Sequence, residues 1–349
     1  MVKKTEAALP VELILPLGEK VAFLKQPIAY SHAVSKVEAK ETHMSWVFLA
    51  NGFAYKLKKP VKYRFLDLCL LDARLRNCKE EVRLNRRLAK DIYLGIVPLT
   101  IEEDGRLALQ GKGKIVDWLV RMKRLPEENM LGYLIRQNTL SEDHLKRAAA
   151  LLAEFYKTLP CIITAPGSHR EKLRGEIYTI YRELADPVYH LPTALIGKLI
   201  SGLLRFLNDH ASLLDERVVS GNIKETHGDL RPEHICLIPE PAIIDCLEFN
   251  RDLRIQDTAE ELSFLAMECE IMGNSSVGKI FFETYMSLTS DKIPEPLINF
   301  YKLRKACLRA FLVIRHIAEP AYREDPKWVA TANAYLQMAE QYNARLALL

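Results

Sequence analysis

The stretch 226–249 constrains the chain most. Two short apolar runs, 235–238 and 242–244, flank Pro239-Glu240-Pro241. Proline cannot donate to a strand ladder, so this break reads as a tight turn between two short strands. Pairing about Glu240 would set Asp245 opposite Ile235, beside His234. Asp229 falls in the loop before the first strand, two residues after His227. Local chain geometry is therefore expected to gather Asp229, His234 and Asp245.

The chain before this stretch carries a second constraint. Trp46-Val47-Phe48-Leu49-Ala50, Asn51-Gly52 and Phe53-Ala54-Tyr55-Lys56-Leu57 read as strand, turn and strand. Asn-Gly suits the positive φ that a two-residue hairpin demands. In the second strand Phe53, Tyr55 and Leu57 share one face, and Ala54, Lys56 and Lys58 the other. Residues 67–90 read as a helix, with Leu71, Leu75, Cys78, Val82, Leu88 and Ala89 on one arc at about 100° per residue. Glu81 lies inside that arc and Glu80 well outside it. An inward carboxylate needs a partner, and Lys56 is a candidate. The plain alternative is a solvated lysine face, with Glu81 paired to solvent or to arginines of its own helix. Residues 106–110 and 115–122 read as further strands around Gly111-Lys112-Gly113.

After Leu125-Pro126-Glu127-Glu128-Asn129, helical patterns dominate: 141–159, 170–184, 193–215, 257–272, 297–319 and 326 to the end. Ser141 is placed to cap the first of these, with Glu142 and Asp143 in its first turn. Two regions are expected, a strand-rich 1–125 and a helical 126–349, an α+β organisation. The length of 349 residues suffices for two cores. A net charge of +4 on 49 basic and 45 acidic side chains, interleaved, gives no warrant for nucleic acid as a partner. No apolar run approaches the ~20 residues that span a bilayer, and residues 1–30 do not resemble a secretory signal. The seven cysteines are scattered, without C-x-x-C, which predicts a reduced, cytoplasmic setting. Prolines 10, 16 and 27 mark residues 1–35 as short elements and loop.

At this point the residues resemble a known family, the aminoglycoside phosphotransferases, which have the protein-kinase-like fold, and more closely a branch of uncharacterised bacterial proteins named after them. The resemblance runs through Glu41–Leu49 as Glu-Thr-His-Met-Ser-Trp-Val-Phe-Leu, Ala54-Tyr55-Lys56-Leu57-Lys58-Lys59-Pro60-Val61, Glu80-Glu81-Val82-Arg83-Leu84-Asn85, His227-Gly228-Asp229-Leu230-Arg231-Pro232-Glu233-His234-Ile235, Ile244-Asp245-Cys246-Leu247-Glu248-Phe249 and Asp257-Thr258-Ala259-Glu260-Glu261-Leu262. It covers roughly residues 40–270. It implies an ATP-dependent phosphotransferase acting on a small hydroxyl-bearing molecule, with Mg²⁺ as the metal. Phosphoryl transfer asks a protein mainly to position groups and neutralise charge. Asp229 matches the base that takes the hydroxyl proton, and Asp245 the aspartate that holds Mg²⁺. Lys56 matches the lysine that contacts the α- and β-phosphates, and Glu81 the glutamate that holds it. The segment after Met122 matches the hinge whose backbone meets adenine. Asp257 resembles an aspartate that braces the catalytic loop, and His227 reads as a buried histidine shaping that loop.

Two departures qualify the match. The family pattern has asparagine where this chain has His234, and imidazole prefers softer metals than Mg²⁺. Asp245 would then hold the metal with help from Glu248 or Glu233, or Mn²⁺ would serve. No glycine occurs between residues 31 and 51, so Ser31, Ser35, Thr42, His43 and Ser45 would supply phosphate donors if any do. The alternative is a kinase-fold nucleotide-binding or regulatory protein with weak or no catalysis. A two-metal phosphoesterase is the remaining reading, but its expected D-x-H and G-N-H segments are missing. Glu260, Glu261, Glu268 and Glu270 stand against Arg251, Arg254, Arg304, Lys305, Arg309 and Arg315, so mixed charge leaves the acceptor open.

Overall fold

Asn51 and Gly52 close a hairpin, with Asn51 at φ 51°. Gly52 does not share the positive φ, so the turn needs it at the first position only. The Asn51 amide donates to the Ala33 carbonyl (2.7 Å), which ties the turn to the preceding loop. The computed structural model describes residues 15–63, 66–165, 167–318 and 325–347. The expectation for residues 1–14, the end of the 297–319 pattern and residues 348–349 lie outside these. Backbone contacts divide the chain into two compact units, Met1–Leu125 and Pro126–Leu349.

In the first unit, α1 (Leu17–Leu24) precedes β1 (Val37–Glu41), β2 (Ser45–Ala50) and β3 (Phe53–Lys58). A two-strand ribbon, β4 (Lys62–Tyr63) and β5 (Leu66–Asp67), leads to α2 (Leu71–Asn85). Then come β6 (Tyr93–Ile101), β7 (Leu107–Leu109) and β8 (Lys114–Lys123). The sheet is antiparallel and six-stranded, in the order β1-β2-β3-β8-β6-β7. β1 and β6 were not legible as strands. The core under this sheet joins Tyr55 and Leu57 of β3 to Phe48, Leu99 and Leu119 and to Val21 and Leu24 of α1. Asp117 of β8 is buried between Lys20 of α1 and Arg74 of α2, each at 2.7 Å. One carboxylate thus ties both helices to the sheet.

The second unit opens with α3 (Leu131–Gln137), α4 (Glu142–Thr158) and α5 (Ser168–Leu184). The expected helix 193–215 breaks at His210 into α6 (Thr193–Asp209) and α7 (Ala211–Val219). Three short strands follow: β9 (Ile223–Glu225), β10 (Ile235–Cys236) and β11 (Ala242–Ile243). β12 (Ile255–Asp257) pairs with β9 and runs into α8 (Thr258–Ile271). The Asp257 carboxylate accepts from the Ala259 N–H and so caps α8. α9 (Ser276–Leu288), α10 (Glu295–Ile314) and α11 (Lys327–Ala347) complete the unit. Every residue from Thr258 to Cys269 is buried, so α8 is the central helix of the unit. A Cβ on Gly278 of α9 would meet Ala266 Cβ at 2.5 Å, which is how closely α9 approaches it.

All seven cysteines are free. No helix among the described residues is long and apolar enough to cross a membrane.

Candidate active site

The lysine face of β3 turns inward, onto α2. Lys56 Nζ lies 3.0 Å from Glu81 Oε1, and Lys58 Nζ lies 2.5 Å from Glu81 Oε2. The expected Lys56–Glu81 pair is therefore present, and the solvated-face alternative fails here. Glu80, off the apolar arc, instead receives Arg83 Nε and Nη2 at 2.7 Å. What the sequence reading missed is Lys58, whose side chain is 1% exposed against 13% for Lys56. The signal was present, because alternation had put both lysines on one face. Glu81 holds one ammonium per oxygen. Met122 sits near the end of β8, buried, paired with Ala54 and Tyr93.

The turn between β1 and β2 is built without glycine. The Thr42 hydroxyl accepts from the Ser45 N–H and donates to the Ser45 carbonyl, both at 3.0 Å. That hydroxyl is used to make the turn, and Ser45 is buried. Of the hydroxyls expected near a phosphate, that of Thr42 is committed to the turn.

In the second unit β9 delivers the chain into 226–234. Gly228 takes φ +89°, and a Cβ there would lie 3.0 Å from Arg254 Cγ and 3.2 Å from Leu247 Cβ, so glycine is required. The His227 Nε2–H donates to the Ile244 carbonyl (2.9 Å), and its Nδ1 accepts from the Asp229 N–H (3.3 Å). Burial pushes the His227 pKa down, against the opposing pull of Glu261. It is a neutral, buried histidine that ties the Asp229 loop to the Asp245 segment.

The expected brace, Asp257, does not reach this loop. Its carboxylate is taken by Arg217 (2.8 and 2.9 Å) and by the Tyr301 hydroxyl (2.9 Å), besides the α8 cap. The brace is Glu261, one turn along. Its Oε1 accepts from the Gly228 N–H (2.6 Å), Thr226 Oγ1 (2.8 Å) and Gln256 Nε2 (2.9 Å). Its Oε2 accepts from the Tyr156 hydroxyl (2.6 Å) and the His227 N–H (3.1 Å). An acid in the middle of a helix with no polar face was the available signal.

The register of β10 and β11 corrects one expectation. Ile235 faces Ile243 and Cys236 faces Ala242, so the pairing centres on Pro239. The shift is two residues, which keeps every side chain on its expected face. His234 accordingly lies between the two acids. Its Nδ1–H donates to the Asp229 carbonyl (2.8 Å), and its Nε2 lies 3.5 Å from Asp245 Oδ2. Arg231 places Nε 3.1 Å from Asp229 Oδ1 and 3.2 Å from Oδ2, and its Nη2 donates to His234 Nε2 (3.3 Å). Asp245 takes φ +62°, a conformation costly for a residue with a side chain, and its carboxylate is 43% exposed. The segment beyond it is held by Arg254, whose Nη1 donates to the carbonyls of Leu247 (2.8 Å) and Glu248 (3.4 Å).

Among the described residues no group of three His, Cys, Asp or Glu side chains could hold a metal unaided. The expected set Asp245, His234 and Glu248 is therefore gathered only in its first two members. Mg²⁺ does not require three, since it commonly keeps waters and takes one or two carboxylates with substrate phosphates. An exposed, conformationally fixed Asp245 carboxylate fits that ion, while the imidazole suits Mn²⁺ better. A cavity of about 510 Å³ beside Arg217, Asn222, Lys224 and Tyr285 includes none of these candidate residues.

This sheet-plus-helix unit followed by a helical unit defines the protein-kinase-like fold, the class the sequence resemblance implied. Among solved structures, a choline/ethanolamine kinase family protein from Mesorhizobium loti matches with TM-score 0.55 and 13% identity, over 93% of each chain. A choline kinase from Cryptosporidium parvum matches with TM-score 0.54 and 12% identity, over 89% of this chain and 90% of that one. Identities this low establish the fold alone. In sequence, uncharacterised proteins of Mycobacterium bovis and Mycobacterium tuberculosis are 30% identical over 328 residues, 89% of this chain. The chain spans 61% of the length of these curated relatives. No family model matches the sequence.

Proposed function

We propose that the protein is an ATP-dependent phosphotransferase that moves the γ-phosphoryl group to a hydroxyl of a small molecule. The observation that supports this most is the approach of Asp229 and Asp245 to His234 from either side, within the second unit. In the reaction the acceptor hydroxyl oxygen forms a bond to the γ-phosphorus while the bond to the β–γ bridging oxygen breaks. Asp229 takes the hydroxyl proton, and ADP leaves with the bridging oxygen. Mg²⁺, when bound at Asp245, would neutralise charge on the phosphates. Lys56, steadied by Glu81, would contact the α- and β-phosphates, and the backbone after Met122 the adenine. His234 orients the Asp229 backbone, and Glu261 and His227 hold the loop in shape. The small-molecule kinases named among the structural neighbours support a small acceptor. A cytoplasmic location is the setting we propose, because that reaction consumes ATP.

One observation favours a second reading, a kinase-fold nucleotide-binding protein with weak catalysis. Arg231 lies against both Asp229 oxygens and competes with a substrate proton for them. A thermal melt of the purified chain with ATP and Mg²⁺ or Mn²⁺ tests the nucleotide site common to both. A rise in melting temperature, reduced in Lys56→Met, is expected; no rise with either metal removes the site.

A further inference from the structure

The four acids of α8 are all engaged inside the fold. Glu260 is paired with Arg304 and with Lys305 (2.8 Å). Glu270 Oε1 lies 2.5 Å from Lys302 Nζ. Glu268 Oε1 lies 3.0 Å from Arg309 Nε. Each of these cations comes from α10, and Glu261 is consumed by the loop.

Arg309 differs from the others in how it is held. One edge of its guanidinium is fixed, with Nε toward Glu268 and 3.4 Å from the Tyr335 hydroxyl. The group also lies over the Tyr335 ring, 5.4 Å from its centroid. The Tyr335 hydroxyl in turn donates to Glu268 (3.0 Å). The opposite edge, with both Nη groups, has no hydrogen-bond partner among the described residues, although the side chain is only 20% exposed. Burial opposes the Arg309 charge, but Glu268, Tyr335 and Asp229 outweigh it and push the pKa up. Glu268 is pushed up by burial, against Arg309 and Arg231, with Glu233 adding to the rise. α8 packs on the helical turn Pro232–His234. Glu268 thus ties Arg309 to the helix that packs against the end of the candidate-base loop.

A planar guanidinium with a free edge offers two parallel N–H donors, the pattern that matches a carboxylate or phosphate. We infer that Arg309 recognises the acceptor, and that the acceptor is an acidic hydroxyl compound, a hydroxy acid or a sugar or polyol phosphate, rather than an ammonium compound. Glu268 and Tyr335 are positioning residues that hold Arg309. The inference rests on the phosphotransferase reading, because only that reading gives the site an acceptor.

The test is calorimetric titration of the full chain, with ADP and Mg²⁺ present, using glycerate, glycerol 3-phosphate, glycerol, choline and kanamycin as probes. Glycerate or glycerol 3-phosphate is expected to bind about tenfold or more tighter than glycerol and choline. Which of the two binds separates a carboxylate from a phosphate. That binding should fall about tenfold in Arg309→Met. Arg309→Lys keeps the charge beside Glu268 but loses the fork, so it too should bind more weakly, with ADP affinity unchanged. Tightest binding by choline or kanamycin would overturn the inference, as would acidic probes that bind no better than glycerol or equally well to wild type and Arg309→Lys. Failure of ADP and ATP to bind wild type would instead sink the phosphotransferase reading, while the acidic-probe titration still reports on Arg309.

Discussion

Glu261→Gln is the perturbation whose cost can be worked most directly. Five donors converge on the Glu261 carboxylate: Gly228 N–H, Thr226 Oγ1 and Gln256 Nε2 on one oxygen, Tyr156 hydroxyl and His227 N–H on the other. No lysine or arginine pairs with it among the described residues. Glutamine keeps one acceptor oxygen, best left where three donors meet. Its amide NH₂ then faces the Tyr156 hydroxyl and the His227 N–H. The hydroxyl can rotate to accept, but the backbone N–H cannot. One buried donor is stranded at about 1–3 kcal/mol, and the remaining bonds lose their charged acceptor, whose bonds are worth about 1.5–3 kcal/mol against 0.5–1.5 for neutral ones. The expected loss is about 3 kcal/mol, large on the usual scale for a single substitution. Urea unfolding followed by far-UV circular dichroism reads it as a lower midpoint at unchanged slope. Glu340→Gln, which removes an exposed pair with Lys198, is the control and should change stability by less than about 0.5 kcal/mol. If Glu261→Gln falls within that same 0.5 kcal/mol, the carboxylate does not hold the loop.

Lys58→Met should destabilise the first unit more than Lys56→Met, by about 2 kcal/mol, because Lys58 is the drier of the two partners of Glu81 and breaking a buried pair outright costs about 3–5 kcal/mol; equal melting temperatures for the two variants would contradict this. Acidification should weaken the fold from about pH 6.5 downward. Burial lowers the pKa of both His227 and His169 below the unfolded value, so unfolding takes up protons there, at up to about 1.4 kcal/mol per histidine by pH 5.5. Melting temperatures between pH 7.5 and 5.5 check this, and His227→Gln should flatten the dependence. Asp245→Ala should abolish any metal-dependent part of ATP binding and leave the metal-free affinity within about twofold; an unchanged metal dependence would move the ion elsewhere.

Patterns with a short period were legible, and pairings across the fold were not. The hairpin at Asn51-Gly52 and the inward Glu81 follow from periods of two and 3.6 residues. Lys58 shared the face of Lys56, yet alternation says only which residues share a face, not which face is buried. α8 shows why Glu261 was missed. A helix buried on all sides has no polar stripe to set its acids apart, and the resemblance implied the bracing role for Asp257 at its start instead. The two-residue register error at β10 and β11 left the candidate site readable because it preserved side-chain faces. Arg309 with Glu268 was out of reach, since their pairing depends on how α10 lies along α8 and not on any local spacing.

The central claim is that Asp229 takes a proton during phosphoryl transfer. Its most direct measurement is the rate of γ-phosphate loss from labelled ATP with Mg²⁺ and a mixture of hydroxyl acceptors, for wild type and for Asp229→Asn. A wild-type rate reduced about 10²–10⁴-fold in Asp229→Asn, with ATP affinity unchanged, is predicted. Equal rates for the two proteins would contradict it.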